Sequence, residues 1–178
     1  MLRLAALAAT VVVLFIFAAM GALGAAPAPA GGSFPPDADL GLNPAQLAQA
    51  TRALTVADQL RAQGLPRLAM VEAGLGESHF TAIPNRGGSG YCGVFQAHPS
   101  NIACEDTELQ ARSFLQGGKG FQAGGAIRLA RQNPGMLPGE IATRVEASGE
   151  PGSFYEKHRP QAEKIIAAWQ AGGFTATA

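Results

Sequence analysis

The chain has 178 residues and a mass of 18.2 kDa, room for one domain plus extensions at about 150 residues per domain. Charged residues make up 15%, with 13 basic and 13 acidic and a formal net charge of zero, while 47% are hydrophobic. That balance excludes a protein whose main work is gripping nucleic acid, which needs a basic excess, and a disordered chain, which lacks apolar residues. Twenty-three glycines and 12 prolines show no Gly-X-Y period, so the chain is not collagen-like. Two cysteines without a CxxC pair or a Cys/His cluster give no zinc ribbon or finger.

The apolar residues begin early. Residues 4–26 read LAALAATVVVLFIFAAMGALGAA, without a charge. As a helix this run spans roughly 34 Å, enough for a bilayer core. Arg3 precedes it and no basic cluster comes after it, so the N-terminus is expected in the cytoplasm and the rest of the chain outside. The run reads as an uncleaved signal anchor on length, or as a signal peptide cut near Gly24-Ala25-Ala26. Either way residues 1–26 export the remainder of the chain. Residues 27–42 are a Pro/Gly/Ala-rich tether with no periodic apolar face.

From residue 43 the pattern turns helical. Asn43-Pro44 is an N-cap followed by proline at the first helical position. Leu47, Ala50, Leu54, Ala57 and Leu60 recur at spacings of three and four until Gly64. Pro66 opens a second helix with Leu68, Val71 and Leu75 on one face. Residues 81–104 are Gly-rich with two prolines, which predicts loop and short strand. Further helices are expected over 107–116, 119–133, 138–147 and 159–171. Residues 43–174 therefore predict one mainly α domain with an irregular Gly-rich loop or short β segment in its middle.

Within this frame Glu77 closes an apolar helix just before the Gly-rich loop. Apolar neighbours raise the pKa of a carboxyl group there, and a carboxylic acid protonated near neutral pH is what a departing glycosidic oxygen needs. Glu72 points roughly 140° away on the same helix, so only one of the two can face a given cleft. Cys92 and Cys104, twelve residues apart, flank the loop. Outside the cytoplasm such a pair is expected to oxidise, although two buried free thiols satisfy the sequence as well. His79 and His98 lack the carboxylate or cysteine company of a metal site. Neither a metal nor another cofactor is expected.

Glu77-Ser78-x-Phe80, the Gly-rich loop, and then Gly93-Val94-Phe95-Gln96 together resemble the lysozyme-like lytic transglycosylases. That family's pattern is a catalytic Glu followed by Ser, an aromatic two residues on, and a Gly-Leu-Met/Phe-Gln segment about fifteen residues later; here Gly93 follows Glu77 by sixteen. Val145-x-x-Ser148-x-x-Pro151 with Phe154-Tyr155 resembles the closing segment of actinobacterial and phage members. The resemblance covers roughly residues 43–171.

The resemblance implies a lysozyme-like helical domain that cleaves the glycan strands of peptidoglycan, with Glu77 as general acid and then base and a 1,6-anhydromuramoyl product. It implies Ser78 and Gln96 as substrate contacts beside the acid, and Tyr91 and Tyr155 along a sugar groove. Phe95 reads as core. Where many members carry an Ala-Tyr-Asn-Ala-Gly segment whose tyrosine supports the Glu, this chain reads Arg144-Val145-Glu146-Ala147-Ser148-Gly149, without the Tyr-Asn pair. No Asp or Glu lies between Ser78 and Cys104; Glu105, Asp106 or Glu146 would have to fold back to supply a second carboxylate. A hydrolysing muramidase of the same fold, which needs such a second carboxylate, and a wall-binding module without catalysis are the alternative functions. The partners implied are peptidoglycan and, through residues 1–26, a membrane, with the domain held outside the cytoplasm or secreted.

Overall fold

The computed structural model describes residues 32–84, 90–98, 104, 106–118, 120–121 and 124–172. The apolar run of residues 4–26 and residues 27–31 of the expected tether lie outside these; residues 32–42 of that tether lie against the helices, with Leu40 buried and the Phe34 ring edge-on to Trp169. Among the described residues no helix is long and apolar enough to cross a membrane.

The described chain is mainly helical: α1 Pro44–Gln59, α2 Leu65–Ser78, α3 Thr107–Gln116, α4 Ala126–Gln132, α5 Pro138–Glu146, α6 Gly152–Glu156 and α7 Arg159–Ala171. Several of the starts have a local cause. Asn43 accepts from the Gln46 amide at 3.0 Å while Gln46 returns the bond to the Asn43 amide at 2.9 Å, a reciprocal box that satisfies two orphan donors of α1. Asp106 caps α3 by accepting from the Leu109 amide at 2.8 Å. Glu140 folds back to accept from the Leu137 amide at 3.2 Å at the start of α5.

α2 is the hub and packs against every other helix. Ala69, Met70, Val71, Ala73 and Leu75 are buried, so the helix is enclosed on all sides over its middle. Two glycines let aromatic rings close on it: a methyl group at Gly74 would stand 2.7 Å from the Phe80 ring, and one at Gly76 would stand 2.9 Å from the Tyr155 ring. At its far end α2 is locked to α1 and α7. Arg67 pairs with Asp58 and donates to the Ala62 carbonyl at 2.8 Å, and the Trp169 indole donates to the other Asp58 oxygen at 2.8 Å. Every charged member of this buried set has a partner, which burial demands.

The structure departs from the expected elements in three places. The helix expected over 119–133 is shorter, because Gly124 and Gly125 sit at φ +77° and +89° and bring the chain back against Gly117 before α4 starts. The short helix α6 was not expected, since five residues carry too little periodicity to be read. Among the described residues the β segment anticipated within 81–104 is a pair of isolated antiparallel bridges, Ile83 to Gly93 and Cys92 to Ala97.

Candidate active site

α2 ends at a tight left-handed exit. His79 and Phe80 take φ +54° and +56°, and the Phe80 ring folds back over Gly74. Glu77 therefore stands in the last turn of the central helix, where the helix dipole opposes its negative charge. Burial pushes its pKa up, and the nearby Glu150 charge adds to this. One group works the other way: the Tyr155 hydroxyl donates to Glu77 Oε1. Tyr155 is itself fully buried on α6. Burial and Glu77 raise the Tyr155 pKa, and nearby Ser148 works against them, so the phenol stays protonated as a donor to Glu77.

Glu77 opens into a cleft of about 410 Å³ lined by Tyr91, Gln96, Glu146, Ala147, Ser148 and Gly149. Three chain segments meet there: the end of α2, the turn 91–96 and the exit from α5. Gly93 makes the turn at φ +78°, and a side chain there would strike the Gln110 amide and stand 2.6 Å from the Cys104 carbonyl oxygen. Gln110, buried on α3, holds the turn from beneath, accepting from the Phe95 amide at 3.2 Å and donating to the Cys92 carbonyl at 3.3 Å. Cys92 and Cys104 are joined, with Cα atoms 5.0 Å apart, which ties the turn to the segment leading into α3.

The expected site residues separate into two groups. Glu77, Gln96 and Tyr91 line the cleft. Gln96 is steadied by donating to the Gly93 carbonyl at 2.8 Å, and Tyr91 is 61% exposed, edge-on to the His98 ring. Ser78 and Tyr155 are placed otherwise. Ser78 spends its hydroxyl on the protein: it donates to the Val94 carbonyl at 2.7 Å and accepts from the Thr81 amide at 3.1 Å. It staples the end of α2 to the turn and does not line the cleft. Tyr155 has no exposed surface to offer a sugar, and its hydroxyl supports Glu77 instead. A tyrosine thus reaches the acid from α6, beyond the segment where the Tyr-Asn pair is missing. Phe95 is core, stacked on Phe114.

Of the carboxylates left open by the sequence, Asp106 is occupied in capping α3, Glu105 lies outside the described residues, and Glu146 faces the cleft. Burial, and then the Glu77 charge, hold the Glu146 pKa well above the usual carboxylate range. Glu72, on the other side of α2, is fully buried and accepts from Arg159 Nε at 3.2 Å. His79 meets the Gly41 carbonyl at 3.3 Å and lines no part of the cleft. Among the described residues no three potential ligands gather to hold a metal. Sequence reasoning missed Gln110, whose only signal was a polar residue at a buried helix position.

No family model matches this chain, and no curated protein or solved structure matches it.

Proposed function

We propose that the chain is a peptidoglycan lytic transglycosylase built on a lysozyme-like helical domain. The observation that carries this reading is a desolvated carboxyl, Glu77, held by the Tyr155 hydroxyl at the edge of a polar cleft. Protonated, Glu77 gives its proton to the oxygen bridging N-acetylmuramic acid and N-acetylglucosamine as the glycosidic bond breaks. As a carboxylate, it then takes the proton of the muramoyl 6-hydroxyl, whose oxygen closes onto C1 to leave a 1,6-anhydro sugar. Tyr155 stabilises the carboxylate between the two steps. Gln96 offers an amide to sugar hydroxyl or N-acetyl groups, and exposed Tyr91 offers a ring face to a sugar. The disulfide fits a domain that works outside the cytoplasm, with residues 1–26 as its anchor or export signal.

Glu146 favours a second reading. A second carboxyl group in the same cleft is what a hydrolysing muramidase uses to direct water at the sugar. Mass spectrometry of peptidoglycan digested by the chain and by its Glu77→Gln variant separates the two. Anhydromuramoyl ends, reduced by about 10²–10⁴-fold in the variant, are the expected result. Reducing ends one water heavier would make it a muramidase. Equal activity of the variant, or no soluble products from the wild type, would overturn the reading.

A further inference from the structure

We propose that Glu146 is a second substrate-contacting residue of this cleft, whose protonated carboxyl donates a hydrogen bond to an N-acetyl carbonyl oxygen of the glycan. The inference rests on the glycan-cleaving function proposed for the site and adds a residue and a pH dependence to it.

The geometry begins with an unmet need. Glu146 ends α5 and lines the cleft, and its Oε1 atom lies out of water with no hydrogen-bond partner among the described residues. A buried polar atom left in that state costs about 1–3 kcal/mol, which is recovered when the partly exposed Glu146 side chain turns that oxygen to a ligand in the cleft. The surroundings decide which ligand. Glu77 faces Glu146 from α2, Tyr155 from α6, and Tyr91 across the cleft. Glu150, just beyond α5, adds negative charge near Glu77. No basic side chain lines the cleft among the described residues. α4 packs against α5, but its Arg128 and Arg131 are exposed and outside the cleft, as is Arg144 on α5 itself.

An ionised Glu146 would put a second anion beside Glu77 with no cation in the cleft, among the described residues, to balance it. Glu77 has the Tyr155 donor to bear its charge, whereas Glu146 Oε1 has none. The pair therefore assigns its last proton to Glu146. A protonated carboxyl is a donor and an acceptor together, suited to the carbonyl of a neutral amide and unsuited to an anionic group. Ionisation removes the donor and sets the carboxylate against the lone pairs of the N-acetyl carbonyl, which has no proton to donate in return.

The test separates binding from cleavage. Binding of a trimer of N-acetylglucosamine to the full chain carrying Glu77→Gln is measured by calorimetry across pH, beside the Glu77→Gln/Glu146→Gln double variant. The Glu146 carboxyl is followed by ¹³C NMR in the former. Affinity should fall about tenfold as the Glu146 signal changes from acid to carboxylate, about 1.4 kcal/mol. The double variant, whose amide donates and does not titrate, should bind with little change over the same range. An affinity of Glu77→Gln that ignores the Glu146 titration, a pH dependence retained in the double variant, an ordinary carboxylate titration of Glu146, or no trimer binding at any pH would each overturn the inference. If the double variant fails to fold, the NMR titration against the affinity of Glu77→Gln decides alone. Failure of the glycosidase reading shows separately, as wild-type protein that releases no glycan fragments.

Discussion

Tyr155 makes the clearest case at the scale of single residues. Its hydroxyl donates to Glu77 and lowers the carboxyl pKa that burial raises. Tyr155→Phe removes one oxygen from a fully buried ring and keeps its packing. Glu77 then loses its donor, so its pKa should rise and the alkaline limb of the activity profile should move to higher pH. The turnover number should fall about tenfold, the worth of one hydrogen bond to a charged group. A profile identical to wild type would remove Tyr155 from the machinery. The sequence exposed half of this arrangement. Glu77 was legible from its place at a helix end before a Gly-rich loop, whereas Gln96 and Tyr91, which also line the cleft, were reached only through the family resemblance. The roles of Ser78 and Tyr155 were not legible, because the sequence shows which groups are polar but not which backbone carbonyls or carboxyls they meet after folding. Tyr155 reaches Glu77 across 78 positions of chain, and no local pattern encodes that approach.

At the scale of elements, long helices were legible and irregular connections were not. The Asn43-Pro44 cap locates α1, and apolar spacing or flanking Pro and Gly locate α2, α3, α5 and α7, since those signals act within a few residues. The turn 91–96 has no such code. It is held from outside, by Gln110 beneath, Ser78 at one flank and the Cys92–Cys104 bond at the other. This turn carries Gln96 into the cleft, so the bond bears on the site as well as on stability. Closing a loop of about 13 residues restricts the unfolded chain by roughly 3 kcal/mol. Reduction should therefore lower the melting temperature and, below melting, weaken glycan binding more than the Gln96 contact alone would predict. Two free thiols in freshly exported protein, or a melting temperature indifferent to reductant, would contradict this.

At the scale of the whole molecule, the central helix is built against an ordinary amphipathic pattern. Its sequence suggests one apolar face, yet α2 is enclosed on all sides and carries Arg67 and Glu72 inward. Both are tolerated because distant residues meet them: Asp58 for Arg67, and Arg159 of α7 for Glu72. The two solutions differ in completeness. Arg67 has two partners, whereas Glu72 Oε2 is buried without one among the described residues. Burial, reinforced by Glu156, pushes the Glu72 pKa up to about 7 in spite of Arg159. The folded protein thus binds a proton that the unfolded chain, titrating near the reference value of 4.5, has already released. A raised folded-state pKa stabilises fully below pH 4.5, and that contribution is lost as pH climbs through about 7. The shift corresponds to a loss on the order of 3 kcal/mol. Glu77 and Glu146 are shifted in the same direction and add to the slope. Glu72→Gln cannot titrate and keeps an oxygen for Arg159, so its unfolding free energy should fall less than that of wild type between about pH 5 and pH 8. Denaturant melts at the two pH values measure this difference. Equal slopes for the two proteins would mean that Glu72 ionises in the fold as readily as in water, and that Arg159 fully offsets its burial.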